Sequence, residues 1–289
     1  MASDKPLVSV VMPSFNQAAF IESSIASVLQ QGYPRLELIV MDGGSTDGSV
    51  AILDRMASMD RRLRWTSEPD MGPAHAINKA MAQARGTVIG WLNSDDLYAQ
   101  GAVQAALDAL TSSANPLMVY GHAIHVDETG AYLDDYPTLR PNVGRAALAN
   151  GCFVCQPTVF LKRVAVHLLG PLDKGLKTAF DFDWWFRAFG LFDGRIGFVD
   201  RVQASSRLHA DCITRKQRAL VAAEGMQLIR KYMGWLDTRW AITYFNEMAQ
   251  SGASVSNDEI WVGLRQHLEQ RMSAADIQLV KSIIAHCRN

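Results

Sequence analysis

Thr87-Val88-Ile89-Gly90-Trp91-Leu92-Asn93-Ser94-Asp95-Asp96-Leu97 carries a hydrophobic run straight into two adjacent carboxylates. A short apolar run of this kind reads as a buried strand. Asp95 and Asp96 then lie at its carboxyl end, the edge where open α/β sheets bind their ligands. Two neighbouring like charges are costly to desolvate, and a cation offsets that cost. Oxygen ligands suit Mg²⁺ or Mn²⁺, which is commonly held by one or two carboxylates together with a substrate's phosphates. Helix capping is the plainer use of the same two residues.

Outward from this stretch, strands and helices alternate. Leu7 to Met12 and Leu36 to Met41 are β-rich runs, and Leu63 to Ser67 is a third. Helical spacing occupies Phe20 to Gln31, Val50 to Met59 and Ala74 to Ala84. This alternation to about residue 110 predicts βαβ units and a mainly parallel sheet. The middle of the chain differs. Leu117 to Val126 reads as a strand closed by a hairpin turn at Asp127-Glu128-Thr129-Gly130, Gln156 to Leu161 as strand-like, Phe180 to Leu191 as an aromatic-rich helix, and Phe198 to Leu208 as extended. Four helices are expected after Thr214: Arg218 to Tyr232, Arg239 to Met248, Asp258 to Gln270 and Ala274 to His286. The expected organisation is therefore 1–110 as one half of an α/β domain, 111–214 as its second half, and 215–289 as a helical C-terminal appendage.

The chain has 289 residues, 48% hydrophobic, enough for one large domain with an appendage. A formal net charge of −1 gives no bulk attraction to nucleic acid. Cys152 and Cys155 form a CxxC, but with only Cys212 and Cys287 besides, no second pair stands at zinc-site spacing. Reduced thiols in a cytoplasmic protein are expected. The first residues lack the basic and apolar regions of a signal peptide, and no apolar run reaches transmembrane length.

Four strand ends converge in the first half, at Pro13-Ser14-Phe15-Asn16, Asp42-Gly43-Gly44-Ser45, Glu68-Pro69-Asp70 and Asn93-Ser94-Asp95-Asp96. Parallel strands bring such ends to one edge. Asp42 is suited to accept from a base or ribose, and Gly43 and Gly44 admit close backbone approach. Neither GxGxxG nor GxxxxGK[ST] is present, so the common dinucleotide and P-loop motifs are missing.

Taken in order, these segments resemble the family 2 glycosyltransferases of the GT-A fold. The segments are Val8–Asn16, Leu38–Ser49, Ser67–Gly72, Ala76–Ala80, Trp91–Asp96, Gln156–Phe160, Asp181–Arg187 and Arg207–His209. The resemblance covers roughly residues 7 to 214. It implies a Rossmann-like mixed, mainly parallel sheet flanked by helices, a nucleoside-diphosphate sugar donor with UDP the commonest nucleotide, and divalent Mn²⁺ or Mg²⁺. It implies donor contacts from Pro13, Ser14, Asn16, Asp42, Asn78, Asn93 and Ser94. Asp95, with Asp96 and His209, is implied at the metal, and Asp181 as the base of an inverting enzyme. Read from the residues themselves, Gln156 could donate to an acceptor or a phosphate, and of the bulky Trp184 and Trp185, a type that is mostly core, one could face the acceptor because sugars stack on aromatic faces. Three positions depart from the pattern. Asn93 stands where DxD usually begins with Asp, Gly43 replaces a second aspartate after Asp42, and Phe180 replaces an acidic neighbour before Asp181. An apolar neighbour should raise the pKa of Asp181 by desolvation, which suits a base. The role of His75 is open.

The implied reaction displaces a nucleoside diphosphate from the anomeric carbon while an acceptor hydroxyl attacks from the other face and Asp181 takes its proton. A saccharide or lipid-linked saccharide acceptor, in surface polysaccharide or glycoconjugate synthesis, is the expected partner. A lipid-linked one would bring peripheral contact with the inner face of the membrane. Asp181 and Asp183, two apart on a helix, do not share a face; Asp183 is spaced to pair with Arg187. Arg207, Arg215, Lys216 and Arg218 read either as a solvated face or as a basic lid. Two other classes stay open on sequence alone: a nucleotidyltransferase making an activated sugar, and a non-catalytic sugar-nucleotide-binding protein.

Overall fold

The computed structural model describes residues 5–235, 238–250 and 273–286. The helix expected over Asp258 to Gln270 lies outside the described residues. The chain forms two compact units. The first runs to Gly175 and takes in Arg187–Leu208; the second comprises Leu176–Phe186 and the chain from His209 onward.

The first unit is built on β1 (Val8–Ser14), α1 (Ile21–Leu29), β2 (Leu36–Asp42), α2 (Ser49–Met59), β3 (Leu63–Ser67), α3 (Pro73–Gln83) and β4 (Val88–Trp91). β5 (Leu97–Tyr98), α4 (Ala102–Leu110), β6 (Met118–Val126), β7 (Tyr132–Asp135), β8 (Phe160–Lys162) and α5 (Arg163–Leu169) follow. Next come α6 (Phe180–Leu191), which the two units share, and β9 (Ile196–Arg207). One nine-stranded sheet has the order β3-β2-β1-β4-β8-β6-β9-β5, with β7 paired to β6. β1 to β4 are mutually parallel, β8 runs antiparallel to β4 and β6, and β9 is parallel to β6. The mixed, mainly parallel sheet flanked by helices is as expected. β1 and β2 are buried along their whole length, which is why they read as continuous apolar runs. Alternate residues Val8, Val10 and Met12, with Leu36, Leu38 and Val40, join Ile21, Ile25 and Val28 of α1 and Val103 and Leu107 of α4 in one core.

Gln156 to Thr158 is a 3₁₀ turn, not strand, and β8 is confined to three residues beyond it. Pro157 sits at the first helical positions, where its missing N–H and fixed φ suit a turn and not a ladder.

At the other end of the sheet a buried polar knot sets the register. Glu37 accepts from Ser9 Oγ at 2.5 Å, the Arg85 N–H at 2.8 Å and Arg64 Nη2 at 2.9 Å, while Ser9 Oγ also receives the Gly86 N–H at 2.7 Å. A side chain at Gly86 would run into the backbone of Leu7 and Ser9, so glycine is required there. Burial pushes the Glu37 carboxyl up, but the three bonds and the Arg64 charge together hold it below the usual value.

The second unit contains α7 (Ile213–Lys216), α8 (Arg218–Met233), α9 (Thr238–Gln250) and α10 (Ala274–His286), together with the first turns of α6. α8 is buried from Ala222 through Ile229 without a break. Gly225, in its interior, is where the Trp240 ring of α9 rests on the helix backbone; any Cβ there would collide with that ring.

Two outcomes follow. Glu37→Ala leaves buried donors unpaired and should cost about 2 kcal/mol in urea unfolding. The depressed folded-state pKa means that Glu37's contribution is present above the carboxylate's unfolded pKa and fades as pH falls through the folded value, so the wild-type–variant gap should close in acid. Gly225→Ala, which at an open helix site would gain about 1 kcal/mol, should instead lower the melting temperature because the core is overpacked.

Candidate active site

The carboxyl ends of β1, β2 and β3 are level: Ser14 pairs with Asp42, and Asp42 with Ser67. Asp42 is 2% exposed. Its Oδ2 accepts from the N–H of Gly44 at 3.1 Å, the N–H of Ser45 at 2.8 Å and Ser67 Oγ at 2.7 Å, and its Oδ1 from Ser45 Oγ at 2.5 Å. A carboxylate has about four acceptor sites, and here the loop uses three and Ser67 of β3 the fourth. Asp42 therefore shapes the Gly43–Asp47 loop. That loop in turn holds the end of β1: Ser45 Oγ accepts the Asn16 N–H at 2.7 Å, Asn16 Oδ1 accepts the Thr46 N–H at 2.9 Å, and Asp47 Oδ2 accepts the Ala18 N–H at 2.8 Å. Asn16 has φ +52°, a conformation Asn tolerates better than most residues. Pro13 is buried in β1.

The loops add one residue, Phe15, that the sequence reading gave no role. Phe15 is 59% exposed, and Gly43 is small enough to let both Phe15 and Asp70 close on it: a Cβ would stand 3.2 Å from the ring and 3.1 Å from Asp70 Oδ2. The signal was an aromatic beside Asn16 and a glycine where an aspartate is usual, but a sequence does not say whether an aromatic is core or surface. Asp70 Oδ1 accepts the Gly72 N–H at 2.7 Å, and His75 Nδ1 accepts the Met71 N–H at 3.2 Å, so His75 braces the start of α3. Asn78 grips Leu172 with both ends of its amide, each bond 2.9 Å.

Beyond β4, the Asn93–Asp96 turn separates its two carboxylates. Asp96 is 4% exposed; it accepts the Arg207 N–H at 2.9 Å and Asn93 Nδ2 at 3.3 Å. Burial first, and the Asp95 charge second, hold the Asp96 carboxyl well above the usual range. Asp95 is partly exposed. Asn93 Oδ1 accepts from Trp91 Nε1 at 3.0 Å, and buried Ser94 receives Ser24 Oγ on its carbonyl at 3.0 Å. Arg207 is 6% exposed and is not part of a basic lid. Its guanidinium donates to the carbonyls of Asp95 at 2.8 Å, Glu128 at 2.9 Å and Asp127 at 3.2 Å and lies over the Phe20 ring. It is the clamp on the carboxylate turn. Gln156 Nε2 donates to the Trp91 carbonyl at 2.6 Å. Gln156 Oε1 and Ser14 Oγ are buried acceptors without a hydrogen-bond partner; Ser14 ends β1, and Gln156, in the 3₁₀ turn before β8, is held to the last residue of the neighbouring β4.

In the second unit, Asp181 occupies the first turn of α6 and is partly buried. Burial raises its carboxyl to about 6, with the Glu224 charge adding to the rise and the Phe182 N–H opposing it. Asp183 is 1% exposed and is held by Lys231 Nζ at 2.8 Å and Tyr232 OH at 2.7 Å, partners on α8 that spacing along α6 does not reveal. Within the first unit, Arg187 Nη1 donates to the carbonyls of Leu169 at 2.5 Å and Pro171 at 3.0 Å. Trp184 and Trp185, expected at the acceptor, are both fully buried, so neither offers a ring face to a sugar; bulky apolar side chains on a central helix are drawn into the interior. His209 is also buried. Among the described residues no group of three or more His, Cys, Asp or Glu side chains could hold a metal ion.

Hyaluronan synthase of Pasteurella multocida is 24% identical over 277 residues, 96% of this chain and 28% of that protein. The putative teichuronic acid biosynthesis glycosyltransferase TuaG of Bacillus subtilis is 34% identical over 137 residues, 47% of this chain and 54% of its own length. The chain thus spans only part of these curated relatives. S. aureus TarS 1-349 in complex with UDP-GlcNAc shares the fold at a TM-score of 0.68 and 16% identity, over 96% of this chain and 88% of that one. The mannosyltransferase PcManGT of Pyrobaculum calidifontis, solved with GDP-Man and Mn²⁺, gives 0.63 and 19%, over 98% and 86%. The sequence profile of glycosyl transferase family 2 matches residues 9–166, more than half of the chain and the part that carries the β1–β4 loops, so the chain belongs to that family.

Proposed function

We propose that the protein is an inverting glycosyltransferase that moves a sugar from a nucleoside-diphosphate sugar to an acceptor hydroxyl in polysaccharide or glycoconjugate synthesis. The observation that carries this reading is the turn after β4. There Asp96 is drawn inward onto Arg207, and Asp95 is left as the more accessible carboxylate of the pair, at the edge where the β1–β3 loops gather. Family membership, and relatives named as a hyaluronan synthase and a putative teichuronic acid glycosyltransferase, support the same class.

The exposed Phe15 ring beside Gly43 offers a flat face to a nucleotide base. Asn16, and the loop that Asp42 shapes, border the ribose. Ser14 Oγ and Gln156 Oε1 are buried acceptors that a ligand hydroxyl could satisfy. The donor set also fits a divalent ion: one accessible carboxylate, Asp95, with a donor's diphosphate oxygens matches how Mg²⁺ and its analogues are usually held. A cation bound there would offset the charge that builds on the departing diphosphate. Asp181 accepts the proton of the attacking hydroxyl, and its elevated affinity for that proton suits the role. UDP is the first nucleotide to test, because a relative of the same fold was solved with UDP-GlcNAc. Among the described residues no helix is long and apolar enough to cross a membrane. A lipid-linked acceptor would bring the protein into peripheral contact with a membrane.

The test is release of nucleoside diphosphate from UDP-GlcNAc, UDP-glucose and GDP-mannose, with and without Mn²⁺; no turnover or binding of any nucleotide sugar would defeat the reading. Asp181→Asn should lower kcat about 10²–10⁴-fold while leaving donor binding intact. Asp181 is active when deprotonated, so wild-type kcat/KM should rise with pH through about 6 and level off above it. In Asp95→Ala, isothermal titration with the donor should show that Mn²⁺ no longer strengthens binding; an unchanged Mn²⁺ effect removes Asp95 from the metal.

A further inference from the structure

The first turn of α6 is held from two places, and the nearer is Asp181 itself, whose Oδ1 accepts the Phe182 N–H at 2.7 Å. Ala179 occupies the N-cap position, since its carbonyl accepts the Asp183 N–H at 3.0 Å, and alanine has no side-chain acceptor to offer the helix's free N–H groups. An acceptor for the Ala179 N–H, and for the two residues before it, comes from 45 residues away. Glu224, 5% exposed in the middle of α8, takes the Lys177 N–H on Oε1 at 2.7 Å. Its Oε2 takes the Thr178 N–H at 2.9 Å, Thr178 Oγ1 at 2.8 Å and the Ala179 N–H at 2.8 Å. Two residues further on stands Asp181.

We propose that Glu224 is the positioning residue for Asp181, fixing the start of α6 from α8 and making the C-terminal helices part of the catalytic apparatus. This rests on the reading of Asp181 as the base. Three features support it. Glu224 is a buried carboxylate on a helix buried on all sides, and such a group is tolerated only when its oxygens are satisfied; all four donors here belong to the chain that leads into α6. The same two helices are joined again by Asp183 with Lys231 and Tyr232, by stacking of Phe186 on Tyr232, and through Trp240, which stacks on Phe182 and rests on Gly225 beside Glu224. The grip is therefore made on both sides of Asp181. Glu224 also brings a negative charge near Asp181, which disfavours a second anion there. Of the charged groups near Asp181, Glu224 faces it from α8 and Asp183 on its own helix is engaged by Lys231, while α9 contributes the uncharged Trp240 to Phe182.

The experiment uses the full chain and whichever of UDP-GlcNAc, UDP-glucose or GDP-mannose it turns over. Glu224→Gln keeps the size but loses the charge and some of the hydrogen bonds. It should lower kcat about 10- to 100-fold, leave KM for the donor within about twofold, and move the acid limb of the pH profile to lower pH. Glu224→Asp keeps the charge but, one methylene shorter, reaches fewer donors; it should lower kcat while moving the limb less. A folded Glu224→Gln enzyme with wild-type kcat and an unmoved acid limb overturns the proposal, as does a loss confined to KM. If Glu224→Gln does not fold, Thr178→Val, which deletes a single bond to Glu224, decides the matter. A reduced kcat at constant KM upholds the proposal and wild-type kinetics overturn it. Asp181→Asn separates the layers: an inactive Asp181→Asn beside a normal Glu224→Gln refutes only the positioning role, whereas an active Asp181→Asn refutes the base and the positioning role with it.

Discussion

A buried carboxylate is stable only where hydrogen-bond donors replace the water it has lost. Four of them organise this chain. Glu37 gathers Ser9, Arg64 and the Arg85 N–H; Asp42 gathers its own loop and Ser67; Asp96 takes the Arg207 N–H and Asn93; Glu224 takes the run from Lys177 to Ala179. In each case at least one donor is a backbone N–H, so each carboxylate pins a segment of main chain as well as a side chain. The loops that border the proposed site are therefore held by the same interaction that secures the sheet and the helical unit.

Asp95 and Asp181 differ from these four. Each stands beside a carboxylate that is fully engaged, Asp96 and Asp183 respectively, and each is less buried than that neighbour. Spending one carboxylate on structure places the other. For Asp181 the arrangement has a cost: its raised folded-state pKa means the ionised form is disfavoured in the folded protein, so this group's contribution to stability is greatest in acid and declines as pH rises toward about 6. A site that needs a poised base accepts this loss, and the surrounding helix contacts offset it.

The alternation of apolar runs and helical spacing made β1 to β4 and α1 to α3 legible, because a strand buried on both faces and an amphipathic helix leave different periods in the sequence. The hairpin after Val126 was legible from its turn residues, and Asp127 does accept the N–H groups of Thr129 and Ala131 as such a turn requires. The Gln156 region was misread because Pro157 outweighs the β-rich residues that follow. The roles of Arg207, Trp184 and Trp185 were misjudged for a common reason. Charge and aromaticity in a sequence do not say which way a side chain points, and here Arg207 is a buried clamp while both tryptophans fill the interior.

The sequence by itself determined the parallel first half, the positions of its four loops, the pair of carboxylates after β4 and the aspartate opening α6, because these depend on local period, turn chemistry and motif order. Only the tertiary structure decided which carboxylate of each pair is engaged, what Asp42 and Asn78 bind, and what holds the run that leads into α6. Those outcomes depend on partners 25 to 111 residues away in the chain, brought together by folding and invisible to any local pattern.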